Sequence, residues 1–220
     1  MRTKLALIHT SPSLTPLFQT LCATWLPGVE IFHMVDESLI RNTVAADRLE
    51  RVTTRRVIAM VESARLAGAD AVLVTCSSIG EAVTTAAELF DFPVIRVDDA
   101  MAEKAAAMGK RVGVLATLRT TLEPTAELVK RKATNGDVTI VDMLCEGAFD
   151  AVMAGDGATH DALISAALVK LMASVDVVVL AQASMARVLG VMDPSSLTVP
   201  VLSSPELGVQ RVADILKARM

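Results

Sequence analysis

Cys76 directly follows the apolar run Ala71-Val72-Leu73-Val74-Thr75 and precedes Ser77-Ser78-Ile79-Gly80, so hydroxyl side chains flank a lone thiol. If that run is a strand and a helix opens near Ser78, the thiol faces the positive end of the helix macrodipole and several unpaired backbone N–H groups. Both would favour the thiolate and lower its pKa from about 8.5. Such a thiol can abstract a proton, deliver one, or attack an electrophilic carbon. The pattern returns later in the chain: Asp70 to Ser78 reappears as Asp176-Val177-Val178-Val179-Leu180-Ala181-Gln182-Ala183-Ser184. Gln182 occupies the place of Cys76, and a glutamine amide does not titrate in the useful range, so it can only bind or orient.

A second set of residues suits anion binding. Hydroxyls and free N–H groups at strand-to-helix turns are natural carboxylate donors, and Thr10, Ser11, Thr75, Ser77, Ser78 and Thr117 all stand at such turns. Thr10 matches Thr117 between the halves, and Ser78 matches Ser184. Cys22 and Cys145 read as small buried hydrophobes. His9 could reach the ligand space or sit as a hydrogen-bonded core imidazole. His33, just before Asp36-Glu37-Ser38, is a weaker candidate, and His160 reads as a surface residue at a helix start. Arg48, Arg51, Arg55 and Arg56, interleaved with Asp47 and Glu50, read as a solvated, salt-bridged helix face. Arg96 and Arg187 stand closer to the expected ligand space, where either could pair with a second carboxylate or polar tail. Glu206 reads as a first-turn acid complementing a helix dipole.

The elements that position these residues repeat in order. Leu5–Thr10 matches Val112–Thr117, Glu30–Met34 matches Thr139–Met143, and Phe92–Ile95 matches Val199–Leu202. Short Val/Ile/Leu runs predict strands at 4–9, 29–34, 70–75, 93–97, 111–116, 138–143, 176–181 and 199–202. Helices are expected at 12–24, 39–67, 79–90, 99–108, 120–133, 158–174, 184–190 and 205–218, the longest capped by Ser38 and stopped by Gly68. Strict alternation of apolar strands and helices predicts an α/β fold: two pseudo-symmetric Rossmann-like lobes, each with a parallel sheet covered on both faces. The expected boundaries are 1–98 for the first lobe, completed by a returning helix at 205–220, and 99–204 for the second. Ligand space is expected in the cleft between the lobes, beyond the carboxyl ends of the strands.

Composition narrows the partners. The chain has 220 residues, 52% hydrophobic but only 3% aromatic, with a net charge of −4. Few stacking aromatics and a negative balance argue against nucleic acid. No apolar run approaches the roughly 20 residues of a membrane span, and the stretch after Met1-Arg2-Thr3-Lys4 is too short for a signal peptide. Three cysteines without metal-like spacing suggest reduced thiols in the cytoplasm and no metal site.

Leu73-Val74-Thr75-Cys76-Ser77-Ser78, Arg111-Val112-Gly113-Val114-Leu115-Ala116-Thr117 and Val179-Leu180-Ala181-Gln182-Ala183-Ser184-Met185-Ala186 together resemble the aspartate/glutamate racemase superfamily, over nearly the whole chain. Its relatives include hydantoin racemases, maleate isomerases and arylmalonate decarboxylase. The resemblance implies two pseudo-symmetric α/β domains that each present a cysteine to a carbon beside a carboxylate, without a cofactor. Cys76 matches the first family cysteine and Thr117 a carboxylate-binding threonine, while Gln182 stands where the second cysteine belongs. The implied function is an isomerase or racemase-like enzyme acting on a small organic acid through one cysteine thiolate. Cys76 would transfer the proton or attack, and Gln182 would orient the substrate. His9, Thr10, Ser11, Thr75, Ser77, Ser78, Thr117, Ala183 and Ser184 would line the carboxylate site. The missing thiol leaves a one-thiol decarboxylase or other lyase as the alternative, or a second base from His9, His33 or Asp98. A rival of another class is a small-acid binding protein without chemistry. An Ala/Val-rich surface helix would also suit a homo-oligomer.

Overall fold

In the computed structural model, which describes residues 2–133 and 138–219, the chain divides into two units, Met1–Asp99 with Pro205–Met220, and Ala100–Ser204. Met1 and Met220, the outer ends of the expected first lobe, lie outside the described residues.

The first unit holds β1 (Lys4–His9), α1 (Thr15–Trp25), β2 (Glu30–Val35), α2 (Glu37–Ala45), α3 (Arg51–Leu66), β3 (Ala71–Val74), α4 (Gly80–Leu89) and β4 (Val94–Arg96). Its parallel sheet has the order β2-β1-β3-β4. The second unit holds α5 (Asp99–Met108), β5 (Arg111–Ala116), α6 (Arg119–Lys132), β6 (Thr139–Leu144), α7 (Ala148–Met153), α8 (Gly157–Met172), β7 (Val177–Leu180) and β8 (Val201–Ser203). Its parallel sheet repeats the first as β6-β5-β7-β8. The closing helix α9 (Ser204–Lys217) packs on the first unit, where a Cβ at Gly208 would lie 2.8 Å from the Val97 carbonyl oxygen.

Beyond Lys4 and Arg111 at their starts, the central strands are buried, as strands covered on both faces must be. Val72, Val74, Ile8, Val57 and Val61 share one core cluster; Leu115, Val178, Leu180, Ile164 and Leu168 share the corresponding one in the second unit. In α3 the buried residues Thr53, Val57, Val61 and Ala64 fall on one stripe. Arg51 and Arg55 face outward from the same helix, while Arg48 pairs with Glu50 at 3.1 Å.

Three expectations need correcting. The long helix at 39–67 is two helices, broken around Asp47, which takes a left-handed φ of 50° that Asp tolerates better than most residues. Its N-cap is Asp36 rather than Ser38: the Asp36 carboxylate accepts from both the Ser38 N–H and its hydroxyl. The segment at 184–190 is a 3-10 run spanning Ala183–Gly190 rather than an α-helix.

Candidate active site

Each parallel sheet reverses its strand order between its two central strands, the place where open α/β sheets bind ligands. In the first unit β1 and β3 pair as Leu5↔Ala71 through Ile8↔Val74. Two residues further along this register stand Thr10 and Cys76. In the second unit β5 and β7 pair as Val112↔Val177 through Leu115↔Leu180, and the same continuation reaches Thr117 and Gln182. Both sheets therefore bring together the two residues that the repeat aligns.

Strand alternation sends Thr75 and Cys76 to opposite sides. Cys76 is half-buried and caps a 3-10 turn, Ser77–Ile79, that leads into α4. Its sulfur is bonded by the Thr10 and Ser78 side chains and by the backbone of Ser78 and Ile79. These contacts favour the anion, as the position at a helix start predicts. Burial nevertheless outweighs them and pushes the Cys76 pKa above its ordinary value. The expected depression of the pKa is thus reversed, because lost hydration costs the thiolate more than the hydrogen bonds return. Beside the sulfur, the buried hydroxyl of Ser77 has no hydrogen-bond partner. Ser11 turns away to bond Ser13 at 2.8 Å. Cys22 and Cys145 are buried in the hydrophobic core; burial pushes Cys22 up to about 11 and raises Cys145 as well.

The Thr75 hydroxyl lies 2.8 Å from His9 Nδ1, His9 Nε2 lies 2.9 Å from His33 Nδ1, and His33 Nε2 lies 2.9 Å from Gln19 Oε1. With Gln19 Oε1 as acceptor, neutral rings have His33 donating to Gln19 and His9 donating to His33, while the Thr75 hydroxyl beside His9 Nδ1 also donates to the Ile8 carbonyl at 3.2 Å. His9 is completely buried with both ring nitrogens engaged. Of the two readings of His9, the core imidazole is the one observed. Burial, with His33 beside it, lowers the His9 pKa to about 4, and burial lowers that of His33.

Arg96 and Asp98 do not wait for a substrate. The buried Arg96 guanidinium donates to both carboxylate oxygens of Asp98 at 3.0 Å, and to Glu81 and Thr84 on α4. It lies so close to Gly80 that a Cβ there would fall 2.3 Å from Nη2. The expectations that Arg96 meets a second carboxylate and that Asp98 serves as a second base are corrected. Each consumes the other, and together they brace the start of α4 behind Cys76.

In the second unit Gln182 folds onto Thr117. The Thr117 backbone N–H donates to Gln182 Oε1 at 2.7 Å, and Gln182 Nε2 donates to the Thr117 hydroxyl at 2.5 Å. Ala183 is buried and Ser184 half-buried at the start of the following 3-10 run. Within that run Arg187 reaches Asp161 on α8 at 3.0 Å, and Asp161 reaches His160 Nδ1 at 2.9 Å. His160 is therefore no surface residue. It is fully buried, and its Nε2 has no hydrogen-bond partner. The signal was its spacing: His160, Ile164, Leu168 and Leu171 form one helical stripe, and all four are buried. Arg187 pairs with Asp161 while its side chain stays half-exposed. Among the described residues, no three His, Cys, Asp or Glu side chains gather to hold a metal ion.

The family model for Asp/Glu/Hydantoin racemase matches residues 7–212. The chain belongs to that family. It shares its fold with allantoin racemase from Klebsiella pneumoniae, at 18% identity and a TM-score of 0.69, covering 99% of this chain and 89% of that one. Glutamate racemase from Bacillus anthracis gives 17% identity and a TM-score of 0.75, covering 99% and 82%. An aspartate racemase from Picrophilus torridus gives 15% and 0.73, covering 96% and 94%. Among curated proteins none matches. Membership makes the chain a racemase-like enzyme.

Proposed function

We propose that the chain is a cofactor-independent enzyme of the isomerase type that moves a proton at the carbon beside the carboxylate of a small organic acid, using Cys76 alone. One observation carries this reading. At the switch point of the first sheet a single sulfur is held by Thr10, Ser78 and the backbone at Ser78 and Ile79, with the unpartnered Ser77 hydroxyl beside it. Those groups stabilise the sulfur when it is charged. The Ser77 hydroxyl is suited to a carboxylate oxygen. In the forward step the α-proton passes to the Cys76 sulfur, and the bonding pair moves into the carboxylate as an enediolate. Return of the proton to carbon regenerates the thiolate.

A lyase is the second reading, and the raised thiol pKa favours it. A thiol protonated at rest is first a donor, and a decarboxylase needs only to deliver one proton to the enediolate left by departing carbon dioxide. Gln182, tied to Thr117, has no titratable proton to offer.

The test is incubation of small α-substituted acids with the enzyme in heavy water. Label at the α-carbon with retained chirality is the expected result. Label with full racemisation would show a second base and overturn the single-thiol reading. Loss of carbon dioxide from a substituted malonate would establish the lyase. Ligand-induced stabilisation that survives Cys76→Ala, with no label in the parent protein, would leave only binding.

A further inference from the structure

We infer that Gln182 is a specificity-determining residue, an internal amide that occupies the Thr117 backbone N–H and withholds it from substrate carboxylates. The inference rests on the reading of the chain as a binder of small acids.

The geometry is a closed ring of two hydrogen bonds. A carboxylate at Thr117 would accept from the backbone N–H and from the hydroxyl. The Gln182 amide instead takes the N–H with Oε1 and gives a proton to the hydroxyl oxygen with Nε2. The N–H is thereby used up, and the hydroxyl, which accepts from Nε2, keeps only its own proton to give. What remains at this position is one Gln182 N–H, one carbonyl lone pair and the Thr117 hydroxyl proton, a mixed donor and acceptor set without charge. Such a set, which presents an acceptor beside its donors, suits a neutral amide, ureide or hydroxyl group of the substrate better than a second carboxylate, which can only accept. The ring also holds itself in place, because Thr117 is buried and the register of β5 and β7 sets the two residues side by side.

The first unit shows what Thr117 would do without this amide. Thr10, its counterpart, donates its hydroxyl to the group opposite, the Cys76 sulfur. A small or apolar residue at 182 would free Thr117 to donate in the same sense.

The experiment uses the full chain labelled with 15N and titrated with sodium acetate, following the backbone amides of Thr117 and Ser77. In the parent protein the Ser77 amide should shift and the Thr117 amide should stay. In Gln182→Ala both should shift, with acetate affinity raised about tenfold or more, the worth of a charge-assisted hydrogen bond. Gln182→Met, close in length and unable to hydrogen-bond, provides the same test should the alanine variant fold poorly. A Thr117 shift in the parent equal to that in the variants would overturn the inference, as would a Thr117 amide unmoved in both variants. Exchange of the parent Thr117 amide with solvent at the rate of an unprotected amide would overturn it without any variant. If Ser77 stays still in every protein while Thr117 responds only in the variants, the acid-binding role of the Cys76 turn fails and the Gln182 cap stands.

Discussion

The same contact is made twice in this molecule, with opposite polarity. In the first unit Thr10 donates to Cys76; in the second Thr117 accepts from Gln182. Sheet order and register are repeated, so the difference comes from one side chain and not from the scaffold. The supports behind the two turns differ as well. Arg96 and Asp98 form a fully buried pair, with side chains 5% and 0% exposed. Arg187, bonded to Asp161, is 53% exposed. The lesson is that a duplicated frame keeps its hydrogen-bond positions while the groups filling them diverge, a thiol that receives hydrogen bonds in one half and an amide that closes on its partner in the other.

The sharpest break is chemical. Cys76→Ala should lower turnover of any acid that acquires label by about 10²–10⁴-fold, the usual worth of a positioned acid or base. Cys145→Ala, in the core of the second unit, should keep turnover within about twofold, because that thiol only packs. Steady-state label incorporation measures both.

The supports should separate next. Asp98→Ala leaves the Arg96 guanidinium buried without its main partner and should cost about 3–5 kcal/mol in urea unfolding. Arg187→Met, on a half-exposed pair, should cost less than about 1 kcal/mol. Equal losses would mean that the two supports are equivalent after all.

The third prediction concerns pH. His9 titrates near 4 when folded and near 6.5 when unfolded, so the unfolded chain binds more protons between those values. Its contribution is complete above about pH 6.5 and is lost as pH falls toward 4, about 3 kcal/mol in all. His9→Gln should flatten the stability profile in this window, and a Tm series from pH 7 to pH 4 measures it.

Two glycines carry the comparison down to its smallest effect. Gly80→Ala forces a methyl against a guanidinium pinned by Asp98 and Glu81, and should cost about 1–3 kcal/mol. At Gly157 the Cβ would meet Arg187 at 2.9 Å, but that side chain is exposed enough to move, so Gly157→Ala should change stability by less than about 0.5 kcal/mol. Denaturant midpoints of both variants complete the comparison.

The frame was legible because central strands buried on both faces must be written as continuous apolar runs, and those runs occur twice in one order. The alignment of Cys76 with Gln182 followed from the same runs. The break between α2 and α3 was not legible. No Gly or Pro marks it, and Asp47 turns the chain at a cost small enough to leave no compositional trace. The Thr117–Gln182 ring, the Arg96–Asp98 pair and the burial that raises the Cys76 pKa are tertiary facts, set by register and enclosure rather than by local spacing. His160 lay between these cases. Its stripe was present in the sequence, but the polar side chain concealed it.

Helix α9 packs against Val97 and belongs with the first unit, although the whole second unit is encoded between them. On the ribosome, then, the later-born half has all its strands and helices while the earlier one still waits for its last piece. The order of maturation runs against the order of synthesis, and the turn that carries the sulfur sits in the half that is finished last.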